Sequence, residues 1–315
     1  MTLRVVRWSA GGAVLAPACV LTIGVFDGMH LGHQELVRLT VERAGKLGVP
    51  AVCLTFYPSP EAVLLGATAR YLLLPEERAE AMGRLGVHLV VVTEFSPKLA
   101  EMSAADFVTL VTRTLHPLEV CVGEDFALGR GREADARTLA RLGRERGFGL
   151  NIVPRLRVRG QVVSSTLVRS RLGSGDVAGA AELLGRPYSV SGRVVHGLRR
   201  GRPLGFPTAN LEVPLEKQVP GDGVYAAFAD LEGRRWPAAL SIGLRPTFGI
   251  HDRSVEAHLL DFDADLHGRE LTVHFVDRIR GERRFRGPEE LRLQIAADVE
   301  ATRAILAVQQ PVWQR

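Results

Sequence analysis

The sequence predicts a doubly wound parallel α/β domain over residues 1–185 and a small antiparallel β-barrel with a terminal helix over residues 186–315. Three observations carry this. Up to Gly185, short apolar runs alternate with segments of helical period, the pattern of β-α-β units and a parallel sheet. From Tyr188 to Arg280, strand-like runs follow one another with only Gly, Pro and Asp turns between them, as in a closed barrel. From Gly287 to about Val308, Leu291, Ile295, Val299 and Ile305 recur at helical spacing.

The elements follow in order. Cys19 to Ile23 is an apolar strand running into the glycine-rich turn Gly24-Val25-Phe26-Asp27-Gly28-Met29. His30-Leu31-Gly32-His33 then opens a helix to about Leu47, with Leu36, Leu39, Ala44 and Leu47 on one face. Pro50 to Phe56 is a strand, Pro75 to Leu85 a helix with proline at its start, and His88 to Thr93 a strand. Ser103 and Asp106 open a helix through Leu115 in capping-box fashion. Leu118 to Gly123 is a strand, Glu133 to Arg146 a charged helix, and Leu150 to Pro154 a strand. Asp176 to Gly185 is a short helix and the hinge between domains. The barrel strands are Ser189–Val195, Gly223–Leu231, Arg235–Gly243, Val255–Phe262 and Glu270–Ile279.

Composition narrows the function classes. A length of 315 residues suits about two domains. The net charge of +5 and pI near 9.5 would fit a nucleic-acid partner. However, only Lys46, Lys98 and Lys217 are lysines, and an arginine bias of this kind reflects the source genome more than an RNA-binding surface. Cys19, Cys53 and Cys121 each sit in apolar runs without C-x-x-C spacing, as reduced buried thiols do. Arg4, Arg7 and the following AGGAVLAPAC resemble a signal peptide, but Gly11, Gly12 and Pro17 interrupt the apolar stretch, and cleavage near Cys19 would expose the first strand. The expectation is a cytoplasmic protein, monomeric or weakly self-associating, with small-molecule partners and neither a nucleic acid nor a membrane.

The chemistry points to phosphates. Strand, glycine turn and helix aim backbone N–H groups and a helix N-terminus at an anion, and His30 and His33 add donors there. Glu124 and Asp125 follow a second strand end, and Ser164-Ser165-Thr166 open a helix that carries Arg169. In the barrel, His196-Gly197-Leu198-Arg199-Arg200-Gly201-Arg202-Pro203-Leu204-Gly205-Phe206-Pro207-Thr208-Ala209-Asn210 is rich in glycine and arginine. Gly197, Gly201 and Gly205 would let backbone approach an anion that Arg199, Arg200 and Arg202 neutralise. Thr208 and Asn210 offer two hard oxygen ligands on one strand face, which suits Mg²⁺. The chain has no P-loop, no H-E-x-x-H and no G-x-S-x-G.

Together these motifs resemble the bifunctional riboflavin kinase/FAD synthetase family, with an H-x-G-H nucleotidyltransferase domain first and a kinase barrel second. The resemblance extends from about Val20 to Asp298. It implies that ATP is the co-substrate of both reactions, that Mg²⁺ is the metal, and that FMN and FAD are the products. It implies that Gly24, Phe26, Asp27, Gly28, His30, His33, Asp125, Ser165, Thr166 and Arg169 bind ATP for adenylylation, with His30 and His33 stabilising the transition state. In the barrel it implies that Gly197, Arg202, Gly205, Phe206, Pro207, Thr208 and Asn210 bind ATP, with Thr208 and Asn210 on the metal. Glu256 would be the base toward the flavin's ribityl hydroxyl, and Arg280, Glu282 and Phe285 would cover the flavin ring. Ala127, Leu128 and Ala134 depart from the Arg, Phe and Gly common in the family.

Two other readings are open at this level. One is a single-activity adenylyltransferase whose barrel only binds substrate. The other is an RNA-binding barrel, which an aromatic content of 6% and the absence of a stacking platform disfavour.

Overall fold

The computed structural model describes residues 3–8, 14–66, 70–197, 204–244 and 253–309, and these form two compact units, Met1–Ser165 and Thr166–Arg315. The first is built on a parallel sheet of β1 (Arg4–Trp8), β2 (Cys19–Ile23), β3 (Ala51–Phe56), β4 (Leu89–Thr93), β5 (Pro117–Gly123) and, counted after two short strands below, β8 (Gly149–Val153). The strand order is β1-β4-β3-β2-β5-β8. Pleating sends alternate residues to opposite faces. Cys19, Leu21 and Ile23 of β2 meet one core and Val20 the other. The first core also takes Phe107, Val111 and Leu139, from α5 (Ala104–Leu115) and α6 (Ala136–Arg146). The second takes Val37 and Met82, from α1 (Leu31–Leu47) and α3 (Pro75–Arg84). Helices therefore cover both faces, the doubly wound arrangement expected.

Local chemistry sets the helix starts. Ser103 caps α5 by accepting from Asp106 N at 3.1 Å, and its hydroxyl donates to the Asp106 carboxylate at 2.6 Å. The short elements α2 (Pro60–Leu65), α4 (Pro97–Ala100), the hairpin β6 (Ala127–Leu128)–β7 (Ala134–Asp135) and the hairpin β9 (Arg157–Val158)–β10 (Gln161–Val162) connect the larger ones. Ser59-Pro60 and Ser96-Pro97 start α2 and α4 as cap and first helical residue, but both are too short for a hydrophobic period to show, and β1 has no sequence signature. The strand β1 lies at the sheet edge beside β4, and of R-V-V-R-W only Trp8 is buried, so no run of alternation forms.

The second unit begins with α7 (Ser165–Gly173), which starts at the last residue of the first unit, and α8 (Val177–Leu184). The barrel follows: β11 (Tyr188–Val195), β12 (Ala209–Glu212), β13 (Gly223–Leu231), β14 (Arg234–Leu244), β15 (Arg253–Leu259) and β16 (Glu270–Arg280). It closes in the order β11-β12-β15-β14-β13-β16 with all pairs antiparallel. Helix α9 (Pro288–Gln309) packs Leu306 against Ala226, Phe228 and Val276 on the outside of the barrel.

The change in sequence rhythm at Pro187 and the division by packing differ. Asp176 caps α8 and Gly185 ends it in the left-handed region, φ 68°, as a short helix there requires. Val177, Ala180, Leu183 and Leu184 are buried, and α8 packs on β11 and β16 within the second unit. Burial of one apolar face, rather than the helix-to-strand transition, decides which unit the helix joins.

Candidate active sites

Topology selects the first site. The chain leaves β2 toward β3 and β4 on one side and returns to β5 on the other, so β2 and β5 are neighbours at the switch point of the sheet. A crevice at the carboxyl ends of such strands is where open α/β sheets bind ligands. The Gly24–His33 turn leaves β2 there, and Glu124-Asp125-Phe126 leaves β5 beside it.

The first turn is tightly specified. Phe26 (φ 55°), Gly28 (φ 80°) and Met29 (φ 44°) all occupy the left-handed region around a 3-10 turn at Asp27–Met29. Such backbone persists only where its surroundings over-determine it. His30 caps α1, its Nδ1 accepting from His33 N at 3.2 Å. A ring that accepts at Nδ1 carries its proton on Nε2, the form that donates to a phosphate oxygen. The two imidazoles stack with centroids 3.6 Å apart, and Phe26 meets His33 edge-on at 5.3 Å. Burial, then the adjoining His30 ring and the Arg78 charge, pull the His33 pKa well below its ordinary value of 6.5. Its Nδ1 is enclosed without a hydrogen-bond partner among the described residues.

The other two segments join this turn differently. Ser165 Oγ donates to Asp27 O at 2.8 Å, tying the start of α7 to the loop. Thr166 and Arg169 follow on the same helix, in the second unit. The Asp125 carboxylate is exposed, 3.6 Å from Arg155, and its carbonyl accepts from Arg132 at 3.1 Å. Asp27 is committed elsewhere: its carboxylate accepts from Leu72 N at 3.1 Å and Leu73 N at 3.0 Å.

One residue essential to this geometry escapes sequence reasoning. Arg78 of α3 is buried, and its guanidinium donates to Val25 O at 2.6 Å, Phe56 O and Leu73 O at 3.3 Å, and Thr55 Oγ1 at 3.0 Å. It fastens the loops after β2 and β3 to each other. In the charged stretch P-E-E-R-A-E nothing separates it from a surface arginine.

In the barrel, register does the placing. Asn210 of β12 stands directly opposite Glu256 of β15. Thr208 precedes Asn210 by two residues, and its Oγ1 lies 3.3 Å from Glu256 Oε2. Gly197 lies against Asn210: a Cβ there would fall on the side-chain amide. Pro207 and Thr208 line a cavity of about 460 Å³ with His196, Gly197, Asp265 and His267. His196 and His267 stack across it at 3.6 Å, a pair no motif in the sequence announces. Gly205 adopts φ 88°. Arg199, Arg200, Gly201 and Arg202 lie outside the described residues.

The comparisons with known proteins now bear on two sites rather than one. The FAD synthetase family model matches residues 14–167 and the riboflavin kinase model residues 184–306. A bifunctional riboflavin kinase/FMN adenylyltransferase of Pseudomonas fluorescens is 40% identical over 92% of this chain and 93% of its own length. One from Escherichia coli K12 is 39% identical over 93% and 94%. The chain belongs to the bifunctional riboflavin kinase/FMN adenylyltransferase family. A crystal structure from Streptococcus pneumoniae, described as a macrolide-efflux protein, superposes with a TM-score of 0.89 at 31% identity, covering 96% of this chain and 99% of that one.

Within that family frame, three expected residues have partners of their own. Arg280 pairs with the buried Asp298 of α9, its Nε at 3.0 Å and Nη2 at 2.8 Å from the carboxylate. The Arg280 and Arg283 guanidinium groups lie 5.7 and 4.8 Å from the Phe285 ring centroid. Burial, then Asp222, raises the Glu282 pKa, and a Cβ on Gly243 would strike this carboxylate. Arg280 ends β16, Glu282 and Phe285 lie on the segment joining it to α9, and none of the three lines the cavity. The cysteines are inert: burial pushes the Cys19 thiol up to about 12, and raises Cys53 and Cys121 too.

Proposed function

We propose that this chain makes FAD in two ATP-dependent steps at two separate sites, phosphorylating riboflavin in the barrel and adenylylating FMN in the α/β unit. The observation that carries the reading is that two separate groups of side chains suit phosphate chemistry, the stacked His30 and His33 at the β2–α1 turn and Thr208, Asn210 and Glu256 in the barrel.

In the barrel, Glu256 accepts the proton of riboflavin's terminal ribityl hydroxyl as its oxygen attacks the γ-phosphorus of ATP. The bond to ADP breaks and FMN forms. The donor set of Thr208 hydroxyl and Asn210 amide oxygen is hard oxygen throughout, which fits Mg²⁺. When bound, Mg²⁺ supplies neutralisation of phosphate charge. Gly197, Arg202, Gly205, Phe206 and Pro207 would shape the nucleotide's approach, and Arg280, Glu282 and Phe285 the flavin's.

In the α/β unit, an FMN phosphate oxygen attacks the α-phosphorus of a second ATP and pyrophosphate leaves. That phosphate is already ionised, so no protein nucleophile is required. The work left is to meet developing charge with preset donors. His30 through Nε2, neutral His33, the α1 N-terminus and Arg169 fit this work, with Gly24, Phe26 and Gly28 giving the loop its shape. Asp27 acts through its backbone, as the anchor for Ser165. The activities divide at residues 185/186, since α7 carries Thr166 and Arg169 of the first motif although it packs with the second unit. The cytoplasm, where ATP is abundant, suits both steps; among the described residues no helix is long and apolar enough to cross a membrane.

A time course with riboflavin, excess ATP and Mg²⁺, resolved by chromatography, tests the scheme. FMN should appear first and then convert to FAD. FMN alone would mean that the α/β unit takes another acceptor, and no flavin product would overturn the reading.

A further inference from the structure

We propose that His258 is a positioning residue of the kinase site, fixing the Phe206-Pro207-Thr208 segment so that the Thr208 hydroxyl meets Glu256. The inference rests on the kinase reading of the barrel.

On β15, Val255, Ala257 and Leu259 are buried, while Ser254, Glu256 and His258 are half-buried on the opposite face. His258 therefore projects on the same side as Glu256, one strand repeat further on. Its Nδ1 lies 2.8 Å from Pro207 O. A carbonyl only accepts, so the ring donates at Nδ1. The Phe206 ring meets the imidazole edge-on, with centroids 5.6 Å apart. Pairing between β12 and β15 begins only at Ala209 opposite Ala257. Ahead of that point Gly205 has left-handed backbone, and Pro207 has no N–H to give. The side chain of His258 thus extends the ladder past its last backbone pair, onto the residue immediately before Thr208. The Thr208 Oγ1 to Glu256 distance of 3.3 Å depends on where that carbonyl is held.

The test compares the full chain with His258→Ala and His258→Asn, measuring kcat and KM for MgATP in riboflavin phosphorylation. An asparagine amide can place a donor where Nδ1 stands; alanine cannot. The Ala variant should lose about tenfold in kcat/KM, mostly through KM, as expected for one hydrogen bond that orders a ligand-holding segment. The Asn variant should return to within about threefold of the parent. FMN adenylylation by the same preparations should be unchanged, which reports on the folded state of the chain without using the kinase site. An Asn variant as impaired as Ala, or an Ala variant with unaltered kcat/KM, would overturn the proposal. A parent chain that makes FAD from FMN but no FMN from riboflavin would instead bring down the kinase reading, and this inference with it.

Discussion

At the scale of single residues, the catalytic role proposed for His33 is coupled to stability. Its neutral ring, stacked on His30 and edged by Phe26, is held by burial. Replacing it with Ala should abolish FAD formation while FMN formation persists; loss of both activities in a folded variant would refute the division of labour. The same burial has a pH consequence. Below about pH 6.5 the unfolded chain binds a proton at this imidazole and the folded chain does not. Stability therefore falls as pH drops through that value, by at most about 1.4 kcal/mol per pH unit from this group. His274 adds a slope of the same sign, because burial lowers its pKa against the opposing pull of Asp230. Denaturant titrations at pH 7 and pH 5 should show a smaller acid loss in His33→Gln than in the parent. An equal loss would mean that His33 is protonated in the native state.

At the scale of elements, the parallel sheet supplies positions and buried polar side chains lock them. Helix α3 contributes Arg78, which holds carbonyls of Val25, Phe56 and Leu73. An Arg78→Leu variant removes this donor from Phe56 O and Leu73 O and leaves Val25 O with the Thr55 hydroxyl, at a cost of about 3 kcal/mol. It should also depress FAD synthesis by misplacing the β2–α1 turn. Arg78→Lys should rescue little, since a single ammonium cannot span three carbonyls. Steady-state rates for the two steps, measured on one preparation, would check this: the adenylylation rate should drop and the riboflavin phosphorylation rate stay. In the barrel the corresponding lock is Arg280–Asp298, which fastens the end of β16 to α9.

At the scale of the whole molecule, packing divides the chain at Ser165/Thr166, ahead of the division proposed for the activities. The fragment 166–315 retains α7 and α8, and Gly221 N donates to Leu172 O at 2.8 Å between α7 and the barrel. Arg278 also donates to Ser174 O at 3.2 Å and Asp222 O at 2.7 Å. Starting the chain at 186 removes the ties to Leu172 and Ser174 and uncovers the β11 and β16 surface that α8 buries. Purified 166–315 should phosphorylate riboflavin and unfold at a higher temperature than 186–315. Equal melting temperatures would show that α8 contributes nothing to the barrel.

Both fold classes were legible in the sequence because they rest on local periodicity: Cys19–Ile23, Ala51–Phe56 and Gly223–Leu231 carry their strand signal within a few residues. The candidate site motifs stand out in the sequence for a related reason. The turn at Gly24–His33, the hydroxyls at Ser165–Thr166 and the run Pro207–Asn210 each combine particular residue types at particular spacings, as the proposed contacts to phosphate or metal would require. What the sequence could not determine is whatever depends on two distant segments meeting. That Arg78 is buried rather than solvated, that Asp27 binds the amides of Leu72 and Leu73, that Arg280 belongs to Asp298, and that α8 packs with the barrel all follow from which surfaces the tertiary structure removes from water. Burial changes the energy of an unpaired charge or carbonyl by kilocalories, and only the folded chain decides which groups must be paired.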